Sequence, residues 1–141
     1  MRHYQFLEDL DLIARYDANA EGLDLSGSEL KDLRLPGMDF EDANLAGAEL
    51  EGSDLRNADF EAALLTGADL KFSDLRGAQF DGADLTAAVL DHADLRAADL
   101  SEAVGLRPDQ LILACFDDTT RLPTGLVPPR RDALACELED D

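Results

Sequence analysis

Tryptophan is absent from this chain, and cysteine and histidine occur only twice each. Two cysteines, Cys115 and Cys136, are too few for a disulfide scaffold, which points to a reducing, cytoplasmic setting. His3 and His92 stand alone, so no Cys/His set has the spacing of a metal site. Basic residues are scarce: 12 Lys and Arg face 32 Asp and Glu, a formal charge of -20. That balance repels nucleic acid and anionic membrane surfaces, so direct binding to either is disfavoured. No apolar run approaches the ~20 residues of a membrane span, and the opening MRHYQFLEDL lacks the apolar stretch of a secretory signal. The 141 residues, 45% of them hydrophobic, suffice for one domain with a core.

What is present is a period. From Leu25 to Leu100 a Leu or Phe returns at every fifth position. Two residues before each sits a smaller one, Ala in ten of sixteen repeats, with Ser28, Ser53, Ser73, Leu23, Leu33 and Met38 as exceptions. The residue between them is usually Asp or Asn, as in Ala58-Asp59-Phe60. A helix would smear a five-residue period around its surface, and a flat strand would flip alternate repeats to opposite faces. A short extended stretch followed by a corner satisfies it, with the small residue and the Leu or Phe both inward. Gly27, Gly37, Gly47, Gly52, Gly67, Gly77 and Gly82 share the last position, where a bend wants glycine. The chain is expected to wind as an all-β solenoid.

Phe40, Phe60 and Phe80 are spaced by 20 residues, so four repeats per coil would stack them in one column. Sixteen repeats then give about four coils, a rod about 19 Å long at ~4.8 Å per coil. The run Ala-Asp/Asn-Leu/Phe-X-X, as in ADFEA, ADLKF, ADLTA and ADLRA, resembles the pentapeptide-repeat proteins. The resemblance implies a right-handed, quadrilateral β-helix over residues 23–102. The segments GLRPDQL (105–111) and DDTTRLP (117–123) resemble the closing segment of bacterial members.

An open solenoid end needs covering. Residues 1–22 are expected to hold a capping helix, because Phe6, Leu7, Leu10, Ile13 and Tyr16 fall at helical spacing. Residues 103–127 are expected to form a C-terminal cap with a short helix begun at Pro108. Its apolar face would be Leu111, Ile112, Cys115 and Phe116, with Cys115 a buried structural thiol. Residues 128–141 are expected to be a disordered tail, with a short helix over Arg130–Asp141 as the alternative.

No pocket of distinct titrating groups is legible, so the chain reads as a non-enzyme without cofactor or metal. Charge distributes unevenly over the four sides. The first, at 25, 45, 65 and 85, carries only Asp24 and Asp84. The second, at 30, 50, 70 and 90, sets six acids against Lys31 and Lys71. The third sets Arg34, Arg56, Arg76 and Arg96 against Asp54, Asp74 and Asp94, an alternating ladder. The Phe side carries Asp39, Glu41, Asp42, Asp59, Glu61, Asp81, Asp99 and Glu102 with no base. Those eight are the candidate partner-binding residues. Leu64, Phe72 and Val89 are apolar at outward positions.

The reading is a rigid protein–protein interaction scaffold whose acidic face meets a basic protein surface. The resemblance offers an alternative: some family members imitate DNA and bind type II topoisomerases such as gyrase. This chain departs from them in its shorter tract and lack of loop insertions. Its last coil also lacks an obvious dimerisation surface beyond residues 106–127, so the oligomeric state is left open, a dimer through that segment being one option. Solubility alone is the competing explanation of the charge.

Overall fold

A computed structural model describes residues 19–129 and Cys136. From Asn19 to Asp84 each outward middle residue pairs in parallel with the one 20 positions on, as Asp39 with Asp59, Asp54 with Asp74 and Glu49 with Asp69. Twenty residues therefore make one coil, and the chain is a four-sided solenoid. Its strands are single bridges, because each side offers only three extended residues before the next corner. Backbone N–H groups of one coil donate to carbonyls of the next, as from Leu55 to Asp74 O at 2.8 Å.

The corners close on themselves, except at Leu33, whose amide donates to Ser53 Oγ at 3.2 Å instead. The amide of Ala43 donates to Phe40 O at 2.9 Å, and Ala48 to Leu45 O at 3.0 Å. The third residue of such a turn takes positive φ, the type II pattern. It does so at every fifth residue from Gly22 to Ala97; half of these positions are glycine, and the rest include Asp32, Asn57, Ala62, Phe72 and His92. Where the middle residue is Asp, its Oδ1 accepts the amide two residues on, as Asp59 does from Glu61 at 2.9 Å. The acidic middle position is thus a turn device as well as a charge.

The axis is filled by the two inward series. Leu25, Phe40, Leu45, Phe60, Leu65, Phe80 and Leu100 are fully buried, and Ala43, Ala58 and Ala78 pack beside them. Phe40 and Phe60 stack with ring centroids 5.1 Å apart, and Phe60 and Phe80 repeat that spacing. The inward serines bond to carbonyls: Ser53 Oγ donates to Leu30 O at 2.7 Å, and Ser73 Oγ to Leu70 O at 2.6 Å.

Pairing runs past the repeat tract at both ends, from Asn19–Asp39 to Asp99–Arg121. The C-terminal cap is a fifth, irregular coil rather than a helix lid. Its only helical piece among the described residues is one 3₁₀ turn, Pro108–Leu111. Ala114-Cys115-Phe116 repeats the inward–outward–inward triplet over Ala93-Asp94-Leu95, with Ala114 and Phe116 buried. Cys115 is fully buried, as expected, but at the outward middle position of the triplet, where it is bonded to Cys136. The expected free thiol is corrected to a disulfide, so the cysteine count no longer argues for a reducing compartment. Ile112, expected to pack inward, is 50% exposed, because the turn that buries Leu111 carries the next residue outward.

This coil caps the edge chiefly through hydrogen bonds. Gln110 Nε2 donates to Leu85 O at 2.8 Å and to Ala88 O at 2.9 Å. Thr120 Oγ1 donates to Leu95 O at 2.8 Å, and Thr119 Oγ1 accepts the Ala97 amide at 2.9 Å. Backbone groups of coil four that would otherwise lie open are satisfied by side chains. The expected N-terminal capping helix lies outside the described residues, as does the expected tail except for Pro128, Pro129 and Cys136.

Candidate functional site

The candidate carboxylates fall into two columns. Asp39, Asp59, Gln79 and Asp99 form the flat of the Phe side, one coil apart. Their carboxylates are engaged with their own turns. Asp39 Oδ1 accepts the Glu41 amide at 2.9 Å, and Asp99 Oδ1 accepts the Ser101 hydroxyl at 2.6 Å. That hydroxyl, chiefly, holds the Asp99 carboxyl below its ordinary value of 3.8. This column is anionic but structurally occupied.

The second column stands at the corner between the Phe side and the first side. Backbone bonds from Gly22 to Glu41 O, Asp42 to Glu61 O and Ala62 to Asp81 O set Glu21, Glu41, Glu61 and Asp81 one above another. Glu61 and Asp81 are exposed, and none of Glu41, Glu61 and Asp81 has an ion-pair partner among the described residues. The repulsion acts on the Glu41 carboxyl. Glu41 is raised above its ordinary 4.5, first by Glu61, with desolvation and then Glu21, Asp42 and Asp39 adding to it. Asp42 and Glu102 are also exposed. Carboxylate oxygens lie within 4.8 Å of one another in two groups, Glu21–Glu41–Asp42 and Asp39–Glu41–Asp59. Exposed acids often cluster this way without an ion.

Two residues of this region escaped the sequence reading. Glu21 extends the corner column downward, one register step before the tract that begins at Leu23. Arg121 places a base on the Phe side after all, 3.5 Å from Asp99. The expectation of no base is corrected because the fifth coil continues that column beyond Glu102.

The third side is neutralised as a ladder. Arg76 Nε and Nη2 reach Asp74 at 2.9 and 2.6 Å, and Arg96 binds Asp94 with the same pair of distances. Between coils, Arg56 approaches Asp74 at 3.8 Å and Arg76 approaches Asp94 at 3.6 Å. The guanidinium of Arg56, hydrogen-bonded to Asp54, is the first cause holding that carboxyl below its ordinary 3.8. Water screens the exposed pairs such as Arg56–Asp54, whereas Asp94, nearly buried, is the better shielded rung.

A cavity of about 440 Å³ lies at the C-terminal end, lined by Phe116, Asp117, Asp118, Thr120, Leu122, Pro128 and Pro129. Leu64, Phe72 and Val89 are exposed, as their positions imply. No helix among the described residues is long and apolar enough to cross a membrane.

A family model for pentapeptide repeats matches residues 24–61 and 63–101, more than half of the chain. The chain belongs to the pentapeptide-repeat family. A pentapeptide-repeat protein of the Arabidopsis thaliana thylakoid lumen is 32% identical, with a TM-score of 0.52 over 86% of this chain and 74% of the other. The pentapeptide-repeat protein Rfr23 of the cyanobacterium Cyanothece 51142 is 21% identical, with a TM-score of 0.50 over 83% of this chain and 99% of the other, a likeness of fold. Among curated proteins no match is found.

Proposed function

We propose that this pentapeptide-repeat protein is a non-enzymatic scaffold, a right-handed quadrilateral β-helix offering its acidic corner to a basic surface of a protein partner. The observation that carries the reading is the Glu21–Glu41–Glu61–Asp81 column. The third side answers its acids with Arg56, Arg76 and Arg96, whereas this column holds like charges one coil apart. The raised Glu41 carboxyl marks repulsion that a cationic partner would relieve. Charge kept only for solubility has no need to be gathered in one column.

The test replaces Glu41, Glu61 and Asp81 together with Gln and compares melting and partner capture. Equal or higher stability with capture lost supports the reading; undiminished capture ends it. A narrower form has the acidic corner standing in for DNA phosphates on a type II topoisomerase such as gyrase. It requires that purified enzyme bind the wild-type chain, that binding fall with added salt, and that duplex DNA compete.

A further inference from the structure

The corner diagonally across the coil from the acidic column is built differently. Its column runs Asp32, Gly52, Phe72 and His92, linked by bonds from Asp32 to Glu51 O, Gly52 to Lys71 O and Phe72 to Asp91 O. Phe72 has φ 58° and His92 has φ 61°, in the left-handed region that bulky residues avoid. Their rings nevertheless stack, 4.9 Å apart and 11° from parallel, with Phe72 half exposed. Strained backbone and an exposed aromatic both work against stability, and glycine would serve this corner better.

The stack axis follows the column, so the ring face of Phe72 that turns away from His92 looks down upon the rung of Gly52. That rung has no side chain of its own. The Asp32 carboxylate leans into it from below, its Oδ1 standing where a Cβ on Gly52 would be. Glu51 is the next residue along the same rung. Lys31 and Lys71, the nearby bases, are directed to Glu49 at 3.9 Å and Asp69 at 3.6 Å. Asp32 and Glu51 have no side-chain partner among the described residues.

A carboxylate facing the electron-rich face of an aromatic ring is an unfavourable pair until a cation lies between them. We infer that the Gly52 rung is a binding notch for a cationic side chain, an arginine of a basic protein, which stacks beneath Phe72 and pairs with Asp32 and Glu51. A guanidinium fits better than an ammonium because it is flat enough to stack and forks to two acceptors. An inserted aromatic ring would leave both carboxylates unanswered. The notch stands on its own residues and does not depend on the acidic corner.

The probe is N-acetylarginine methylamide titrated into the full chain and followed by amide and ring-proton NMR, with the uncharged citrulline analogue as control. The expected result is a saturable shift centred on Asp32, Gly52 and Phe72 with arginine and none with citrulline. Phe72→Gly should weaken it about two- to fivefold, the worth of an exposed cation–π contact, and Asp32→Asn should also weaken it. Glycine is already used at half of the corners, so Phe72→Gly keeps the fold. Changing Glu41, Glu61 and Asp81 to Gln should leave the response in place, which separates this site from the acidic corner. Shifts spread over all the acidic columns and indifferent to Phe72→Gly would overturn the proposal as general charge attraction. An equal response to citrulline, or no saturable response, would overturn it too.

Discussion

Phe60 stacks on Phe80 with ring centroids 5.1 Å apart and planes 10° from parallel. Free aromatic pairs prefer offset or edge-on contact, but here the rise of the coil dictates the geometry. The rings are fully buried, and burial rather than stacking supplies most of their worth. Phe60 has a ring above and a ring below, both held by ladders that cannot close in. Phe60→Ala should therefore cost about 3–5 kcal/mol in chemical denaturation. A loss of under about 1 kcal/mol would show that the column relaxes around the cavity.

The corners give a finer test. Ala62, Ala87 and Ala97 hold φ of 58°, 60° and 63°, a conformation that costs a residue with a Cβ about 1–2 kcal/mol. Glycine removes that cost but gains about 0.5–1 kcal/mol of unfolded-chain freedom. Each Ala→Gly change should thus be neutral or stabilising, the reverse of its effect in a helix. Gly47→Ala should cost about 1 kcal/mol from backbone strain alone, because nothing lies near its new Cβ. Gly52→Ala and Gly77→Ala should cost more, since the Cβ would strike the side chains of Asp32 and Asn57. Equal melting of Gly47→Ala and Gly52→Ala would mean that Asp32 swings clear freely.

Much of this was legible because a strict period transmits three-dimensional position. Once Phe40, Phe60 and Phe80 set four repeats to a coil, every outward residue from Leu23 to Glu102 had a side and a height. Leu64, Phe72 and Val89 could be named as exposed for that reason. The fifth coil was not legible because its spacing slips. Cys115 lies 21 residues beyond Asp94, and Arg121 lies 22 beyond Asp99. A pattern search at five residues loses Ala114-Cys115-Phe116, and with it the outward direction of Cys115. Nor could periodicity show that Gln110 and Thr120 cap carbonyls 25 residues back, a pairing that exists only after folding. At the acidic corner the gap was one of counting: Glu21 and Arg121 continue columns that the repeat tract left open at either end.

The Cys115–Cys136 bond closes a loop of 21 residues across the capping coil. A loop of that size lowers the entropy of the unfolded chain by about 3 kcal/mol in free-energy terms at room temperature. Cys136→Ser should accordingly lower the stability of the C-terminal end, and a reducing agent should lower the melting temperature of the wild type. Hydrogen exchange should speed at Cys115 and Arg121, whose amides pair with Ala93 and Ala98, before it speeds at Leu65. A wild type that melts identically with and without reductant would refute the stabilising role.

Acid should first strengthen this protein and then weaken it. Glu41 binds its proton more tightly folded than unfolded, because Glu61 repels its charge. Its ionisation therefore opposes folding, and that opposition disappears as pH falls through the raised folded value toward the ordinary 4.5. Asp54, Asp84 and Asp99 have the opposite sign. Their carboxyls lie below the ordinary 3.8 through hydrogen bonds from Arg56, Thr86 and Ser101. The stability they contribute is complete above the unfolded value and is lost as pH falls through the folded ones. The melting temperature should rise from pH 7 to a maximum near about 4.5 and drop steeply below about 3.5. Added salt should flatten the rise, since the repulsion at the corner is exposed and screened. Glu41→Gln with Glu61→Gln should raise stability at pH 7 and abolish the rise while leaving the acid limb unchanged. A melting temperature that falls steadily from pH 7 downward, in wild type and variant alike, would show that the corner column stores no repulsion.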